Sequence, residues 1–176
     1  MFKKILYLFL FLITVSSCGL VDNEKENRSK DQNISANEAL EKANKYLIRT
    51  ESEDIENYIR RHQLEMEETG SGLRYMFIEQ GNGTKAETGK TVVLDYNIKL
   101  LTGDVIYSSS KDGQKIFKIG KGNVESGLEE ALQFLRVGDK VKLIIPAHLA
   151  YGLLGDNNKI PPRSTLIYDI EVVEIK

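Results

Sequence analysis

Cysteine is almost absent: Cys18 is the only one in 176 residues. A lone thiol excludes an intramolecular disulfide, and its place near the start leaves no catalytic thiol in the body of the chain. Histidine is nearly as scarce. His62 and His148 are the only two, and neither stands in an HExxH, CxxC or His-x-His neighbourhood. No zinc or other metal site is expected. No G-x-S-x-G turn presents a serine nucleophile. "GTKAETGKT", Gly83–Thr91, has one residue too many between its glycines for a P-loop. A strand pattern follows it, so no helix N-terminus awaits a phosphate. Glu129 and Glu130 are neighbours on a helix pattern and point in different directions, which is not the geometry of a catalytic pair. No cofactor is expected.

An excess of positive charge is missing too. Setting Lys3 and Lys4 aside from the 24 basic side chains leaves 22 against 26 acidic ones. That balance argues against nucleic acid, whose phosphates need a basic face. Long hydrophobic runs are also lacking. Ile5–Val15 is apolar but shorter than the ~20 residues that span a bilayer. Met1-Phe2-Lys3-Lys4 before it and Ser16-Ser17-Cys18-Gly19 after it give the polarity order of a secretory signal peptide. Val15-Ser16-Ser17-Cys18 resembles a bacterial lipobox. The reading is therefore a signal peptide over residues 1–17 and lipidation of Cys18. The protein would then sit in the cell envelope, lipid-anchored to a membrane, with the periplasm-facing side of the outer membrane the preferred location. Two or more acyl chains hold a protein stably where one does not.

Residues 22–33, "DNEKENRSKDQN", contain no apolar side chain, so 18–33 reads as a lipidated cysteine and disordered tether. A helical pre-domain over 34–68 follows. Ser35-Ala36-Asn37-Glu38 has capping-box spacing, and Ala36, Ala39, Leu40, Ala43 and Leu47 follow a helical period. A second helix is predicted from Glu53, capped by Ser52, with Ile55, Tyr58, Ile59, His62 and Met66 on one face. His62 reads as an edge-of-core residue. Stripes this thin need a partner, either the following domain or a second copy, so a homodimer through the helices at 36–66 is one expectation.

From Gly70 the period changes to that of strands. Runs at Leu73–Glu79, Thr91–Leu101, Asp104–Tyr107, Lys115–Ile119, Lys140–Pro146 and Thr165–Ile175 are separated by turn signals such as Gly81-Asn82-Gly83 and Thr102-Gly103. One short helix pattern, Ser126–Phe134, carries Leu128, Ala131, Leu132 and Leu135 on its inner side. The fold class is α+β, an antiparallel sheet curled around one short helix and preceded by a two-helix segment. The domain is expected to occupy 69–176. One loop is unusual: after Pro146 it carries Leu149 and Tyr151 where loops are ordinarily polar.

The ordered motifs answer why. Gly89-Lys90-Thr91-Val92-Val93 with Tyr96, Thr102-Gly103, Ser108-Ser109, and Gly120 come first. Val124 with Gly127-Leu128-Glu129-Glu130-Ala131-Leu132, and Val137-Gly138-Asp139-Lys140-Val141, follow. Ile145-Pro146, Leu149-Ala150-Tyr151-Gly152, Ile160-Pro161-Pro162 and Thr165-Leu166-Ile167-Tyr168-Asp169-Ile170-Glu171 close the series. In this order and spacing, Gly89–Lys176 resembles the FKBP-type peptidyl-prolyl cis-trans isomerases. The whole chain is similar to the FKBP-type lipoproteins associated with gliding motility.

The resemblance implies an apolar hollow between sheet and helix. It places Tyr96, Tyr151 and Tyr168 as catalytic residues, and Ile106, Tyr107, Val124, Glu125, Leu128 and Ile160 as substrate-binding ones. The Tyr151 hydroxyl and the Glu125 N–H are the implied donors to substrate carbonyls, and Leu128 replaces the tryptophan floor of many relatives. The family's F-D before S-S is Ile106-Tyr107 here, so the pocket aspartate is missing. Lys115 stands where an aromatic is usual, and Glu125 where an aliphatic is. The implied function is a membrane-anchored prolyl isomerase that helps exported proteins fold, with a link to gliding motility. The competing readings are a non-catalytic peptide-binding module of the same fold, and a passive scaffold for functional helices.

Overall fold

The computed structural model describes the backbone of residues 21–176 and the side chains of residues 37–176. The expected signal peptide and Cys18 lie outside the described residues. The chain divides into two compact units between Ile48 and Arg49.

Helix α1 runs unbroken from Val21 to Arg61. This corrects two expectations: residues 22–33 are helical rather than a disordered tether, and the two predicted helices are one. No glycine or proline occurs between Leu20 and Thr69, so nothing interrupts the helix and Ser52 has no terminus to cap. Pairs one turn apart, Lys45–Glu41 at 2.7 Å and Arg49–Glu53 at 3.5 Å, add a few tenths of a kcal/mol each. The helix stops where Gln63 turns left-handed at φ 53° and the Leu64 N–H donates to the Ile59 carbonyl at 3.1 Å. Arg60 and Arg61 meet the negative end of its dipole.

The last turns of α1 belong to the second unit. Ile55 and Tyr58 are buried against Ile144 and Ile167, with Ile59, Leu64 and Met66 around them. Arg74, 5% exposed, donates to Glu56 at 3.0 Å and pairs with Glu68 at 3.2 Å. The second compact unit therefore begins at Arg49, ahead of the change of period at Gly70. His62 stacks on Tyr58 with ring centroids 3.9 Å apart, at the edge of this cluster.

Seven strands form one antiparallel sheet: β1 (Glu67–Glu68), β2 (Arg74–Glu79), β3 (Thr91–Leu100), β4 (Val105–Ser108), β5 (Lys115–Lys118), β6 (Lys140–Ile145) and β7 (Leu166–Ile175). Their order is β1-β2-β6-β7-β3-β4, with β5 also on β3. A short helix α2 (Ser109–Asp112) follows β4, and α3 (Ser126–Leu132) follows β5. Alternation sorts the side chains. Leu166, Tyr168, Ile170 and Val172 of β7, with Val141, Leu143 and Ile145 of β6, enter the main core with Leu128, Ala131 and Leu132 of α3. The intervening Ile144 and Ile167 face the other way and are covered by α1. Gly127 lets α3 settle on β6, because a Cβ there would stand 2.5 Å from Ile145 Cγ2.

Candidate active site

The pairing of β3 with β7 puts Ile98 opposite Tyr168 and Tyr96 opposite Ile170. Tyr96 and Tyr168 are thus diagonal neighbours on the core face. Lys115 enters from β5, opposite Leu94. Glu125 stands at the N-terminus of α3, which carries Leu128. Tyr168 and Leu128 are fully buried, and Ile160, Glu125 and Tyr96 are 3%, 6% and 8% exposed. Val124, Ile106, Tyr107 and Tyr151 are partly buried and pack against the same core. The apolar and aromatic residues among these all belong to one core cluster or pack against it.

Its centre is not apolar, which corrects the expectation. The Tyr168 hydroxyl donates to Glu125 Oε1 at 2.5 Å. Lys115 Nζ donates to both Glu125 carboxylate oxygens at 3.3 Å and to the Tyr168 hydroxyl at 3.2 Å. The same ammonium stands 5.7 Å from the Tyr96 ring centroid and 5.5 Å from that of Tyr168, within cation–π range. Burial pushes the Glu125 carboxyl up, but the Lys115 charge and hydrogen bonds from Tyr151, Tyr168 and its own backbone N–H outweigh that and hold it low. Burial and then the Glu125 carboxylate drive the Tyr168 and Tyr151 hydroxyls up. Burial, followed by the Asp112 and Glu125 charges, does the same to Tyr96. Glu125 is thus a buried carboxylate that accepts from Tyr168 and Lys115 and is coupled to Tyr151.

The Tyr151 loop is built by its own turns. After Pro146 a 3₁₀ turn spans Ala147–Leu149, and the Gly152 N–H returns to the Ala147 carbonyl at 2.8 Å. Ser126 Oγ of α3 donates to the Leu149 carbonyl at 3.2 Å. From α1, Glu51 Oε1 accepts the Ala147 N–H at 2.7 Å and the Thr165 hydroxyl at 2.6 Å.

Tyr107 does not stand in for the missing aspartate inside the hollow. Its hydroxyl donates to Asp156 Oδ2 and accepts from Asn158 Nδ2 at 3.0 Å. Lys159 Nζ lies 4.7 Å from the Tyr107 ring centroid. Asp156 Oδ1 in turn caps the Asn158 and Ile160 N–H groups at 2.9 and 2.7 Å. Ile106 and Tyr107 also border an open cleft of about 410 Å³ with Val105, Ser108, Lys111 and Lys159. Residue-by-residue reading missed Asp156 and Glu51. It noted Lys115 only as a departure, and the signal that could have joined it to Glu125 was their opposite charge at two adjoining pocket positions.

Among the described residues no group of three or more His, Cys, Asp or Glu side chains is placed to hold a metal ion. No described helix is long and apolar enough to cross a membrane.

An antiparallel sheet packed on a short helix, with tyrosines from β3, β7 and a post-proline loop in one cluster, defines the class. The FKBP-type peptidyl-prolyl cis-trans isomerase family matches residues 82–173. The chain belongs to that family. FK506-binding protein 2 of Yarrowia lipolytica is 47% identical over 92 residues, 52% of this chain and 64% of that protein. The FKBP-type peptidyl-prolyl cis-trans isomerase FkpA of Escherichia coli K12 is 36% identical over 109 residues, 61% of this chain and 39% of that one. This chain therefore spans less than two thirds of either relative's length. The crystal structure of FkpA superposes with TM-score 0.64 at 27% identity, covering 99% of this chain and 81% of FkpA. That of AtFKBP13 gives 0.61 at 33%, covering 64% and 99%.

Proposed function

We propose that this chain catalyses cis–trans isomerisation of Xaa-Pro bonds in exported proteins. The observation that carries this is the burial of Tyr96, Leu128, Ile160 and Tyr168 in one cluster, against which Tyr151 packs. The prolyl amide has a barrier of ~18–20 kcal/mol because its planar form is resonance-stabilised. Twisting removes that resonance and makes the carbonyl less dipolar. A water-poor site favours the twisted form without acid, base or nucleophile. This agrees with a site that holds tyrosines and no triad.

In this reading Tyr96, Tyr151 and Tyr168 surround the twisting bond, Ile106, Tyr107, Val124, Glu125, Leu128 and Ile160 receive the proline and its neighbours, and the Glu125 N–H and Tyr151 hydroxyl meet substrate carbonyls. The anchor is a lipid on Cys18, which places the protein in the cell envelope. A role in gliding motility rests on the resemblance of the whole chain to lipoproteins of that kind. Leu40 and Ile48 of α1 are 62% and 64% exposed, which supports association of this helix with a second copy. Sedimentation of the chain with and without residues 21–48 tests that: equal mass per particle in monomer units would exclude it.

A second reading, a binding module without turnover, is favoured by the charged pair inside the hollow. A protease-coupled assay on Leu-Pro and Phe-Pro peptides separates the two. Turnover above the uncatalysed rate supports the enzyme. Peptide binding without it supports the module.

A further inference from the structure

Two positions where the resemblance leads one to expect apolar lining carry opposite charges, and the geometry shows where those charges sit. The side chain of Glu125 is 2% exposed and that of Lys115 is 20% exposed. Lys115 Nζ is within 5.7 Å of both the Tyr96 and Tyr168 ring centroids. The Glu125 carboxylate receives the Tyr168 hydroxyl at 2.5 Å. Electrostatic coupling with the Tyr151 hydroxyl also holds that carboxylate low, and Tyr151 is the donor that the resemblance assigns to a substrate carbonyl. Lys115, Glu125 and Tyr168 satisfy one another.

We propose that Lys115 and Glu125 are an internal occupant of the prolyl site: the carboxylate stands in for a substrate carbonyl, the ammonium for the prolyl ring, and substrate binds by displacing them. This rests on the isomerase reading. The consequence is specific. A substrate carbonyl that takes the Tyr151 proton only exchanges one hydrogen bond for another, so the hydroxyl contributes little to the observed rate while Glu125 is present.

The pair must be altered together, because removing one member leaves the other as a buried, unpaired charge, whereas an apolar replacement of both is often neutral for folding. Lys115→Phe/Glu125→Ile restores apolar lining. Lys115→Met/Glu125→Gln is the gentler version, removing both charges and keeping both lengths. The full chain and both double variants are assayed on a Leu-Pro peptide, each with and without Tyr151→Phe. Displacement predicts that kcat/KM rises tenfold or more in at least one folded double variant, mainly through a lower KM. Tyr151→Phe should change wild type by less than twofold and cost the double variants two- to tenfold. A kcat/KM no higher than wild type in the folded variants overturns the inference, and so does an equal Tyr151→Phe effect in both backgrounds. If neither double variant folds, amine acylation mapped by mass spectrometry decides: Lys115 of wild type should react faster with saturating peptide, and an unchanged or slower rate overturns the inference. An inactive wild type with active double variants supports it. Absence of both turnover and peptide binding in every protein defeats the isomerase reading and the inference together.

Discussion

Glu51 and Ala147 are joined by a hydrogen bond of 2.7 Å across 96 residues of chain. The same carboxylate oxygen accepts the Thr165 hydroxyl at 2.6 Å, so a residue of α1 ties the first residue of the Tyr151 loop to the start of β7. The sheet alone leaves the Ala147 N–H without a partner, because the chain has turned away from β7 after Ile145. A partly buried backbone donor of this kind needs one.

Glu51→Ala should lower stability by about 1–3 kcal/mol, the cost of leaving such a donor unsatisfied. It should also lower kcat/KM by loosening the loop that carries Tyr151, with Glu51→Gln recovering part of both through its amide oxygen. Glu53→Ala, which removes only an exposed ion pair, is the control. Equal behaviour of Glu51→Ala and Glu53→Ala in denaturant melts and turnover would show that the bond does not hold the loop.

Much of this was legible in the chain. The strand runs, the α3 helix and the tyrosines that meet in the hollow all follow from period-2 alternation, turn residues and ordered motifs. What was not legible was long-range. Ile144 and Ile167 sit on the face that alternation assigns to solvent, and only α1 lying over them explains their type. The helix itself was misread as two, because a capping-box spacing and a serine suggested starts in a segment with no helix breaker. Lys115 and Glu125 are separated by ten residues, and nothing local says that their charges meet between two tyrosines.

A chain beginning at Arg49 should fold with an unchanged melting temperature, whereas one beginning at Thr69 should be strongly destabilised. The second truncation strips Ile55 and Tyr58 from Ile144 and Ile167. Burying such side chains is worth about 1.5–3 kcal/mol each. It also removes Glu56 and Glu68 from the buried Arg74. A loss of 1 kcal/mol lowers Tm by roughly 4–8 °C in a domain of up to about 100 residues, so a drop above 10 °C is expected. Identical melting of the two truncations would mean that α1 rests on the domain without stabilising it.

Tyr107→Phe should loosen the segment from Gly152 to Ile160 without emptying the hollow. The lost hydroxyl bonds Asp156 and Asn158. Asp156 also accepts two backbone N–H groups of its own loop. The net cost should be about 0.5–1.5 kcal/mol. Amide exchange should quicken at Asn158 and Ile160 and stay unchanged in β3 and β7. Uniform exchange changes across the domain would assign Tyr107 to general packing instead.

Acid should destabilise the domain through its paired carboxylates. Burial raises the Glu125 carboxyl, yet the Lys115 ammonium and the hydroxyls of Tyr151 and Tyr168 bring it below its ordinary value. Burial likewise opposes, and Lys142 and Lys99 outweigh, at Asp169, whose carboxylate Lys99 meets at 2.9 Å. A carboxyl whose pKa is lower in the folded chain binds protons more readily when unfolded. Its stabilisation is therefore complete above the unfolded value, about 4. It is lost as pH falls through the folded one. Urea melts should give nearly constant stability from pH 7 to 5 and a decline below pH 4. Lys115→Met/Glu125→Gln should make that decline shallower, and Asp169→Asn should do so at some cost in neutral stability, since it leaves Lys99 and Lys142 facing each other. Acid limbs that coincide with wild type in both variants would assign the decline to other carboxylates.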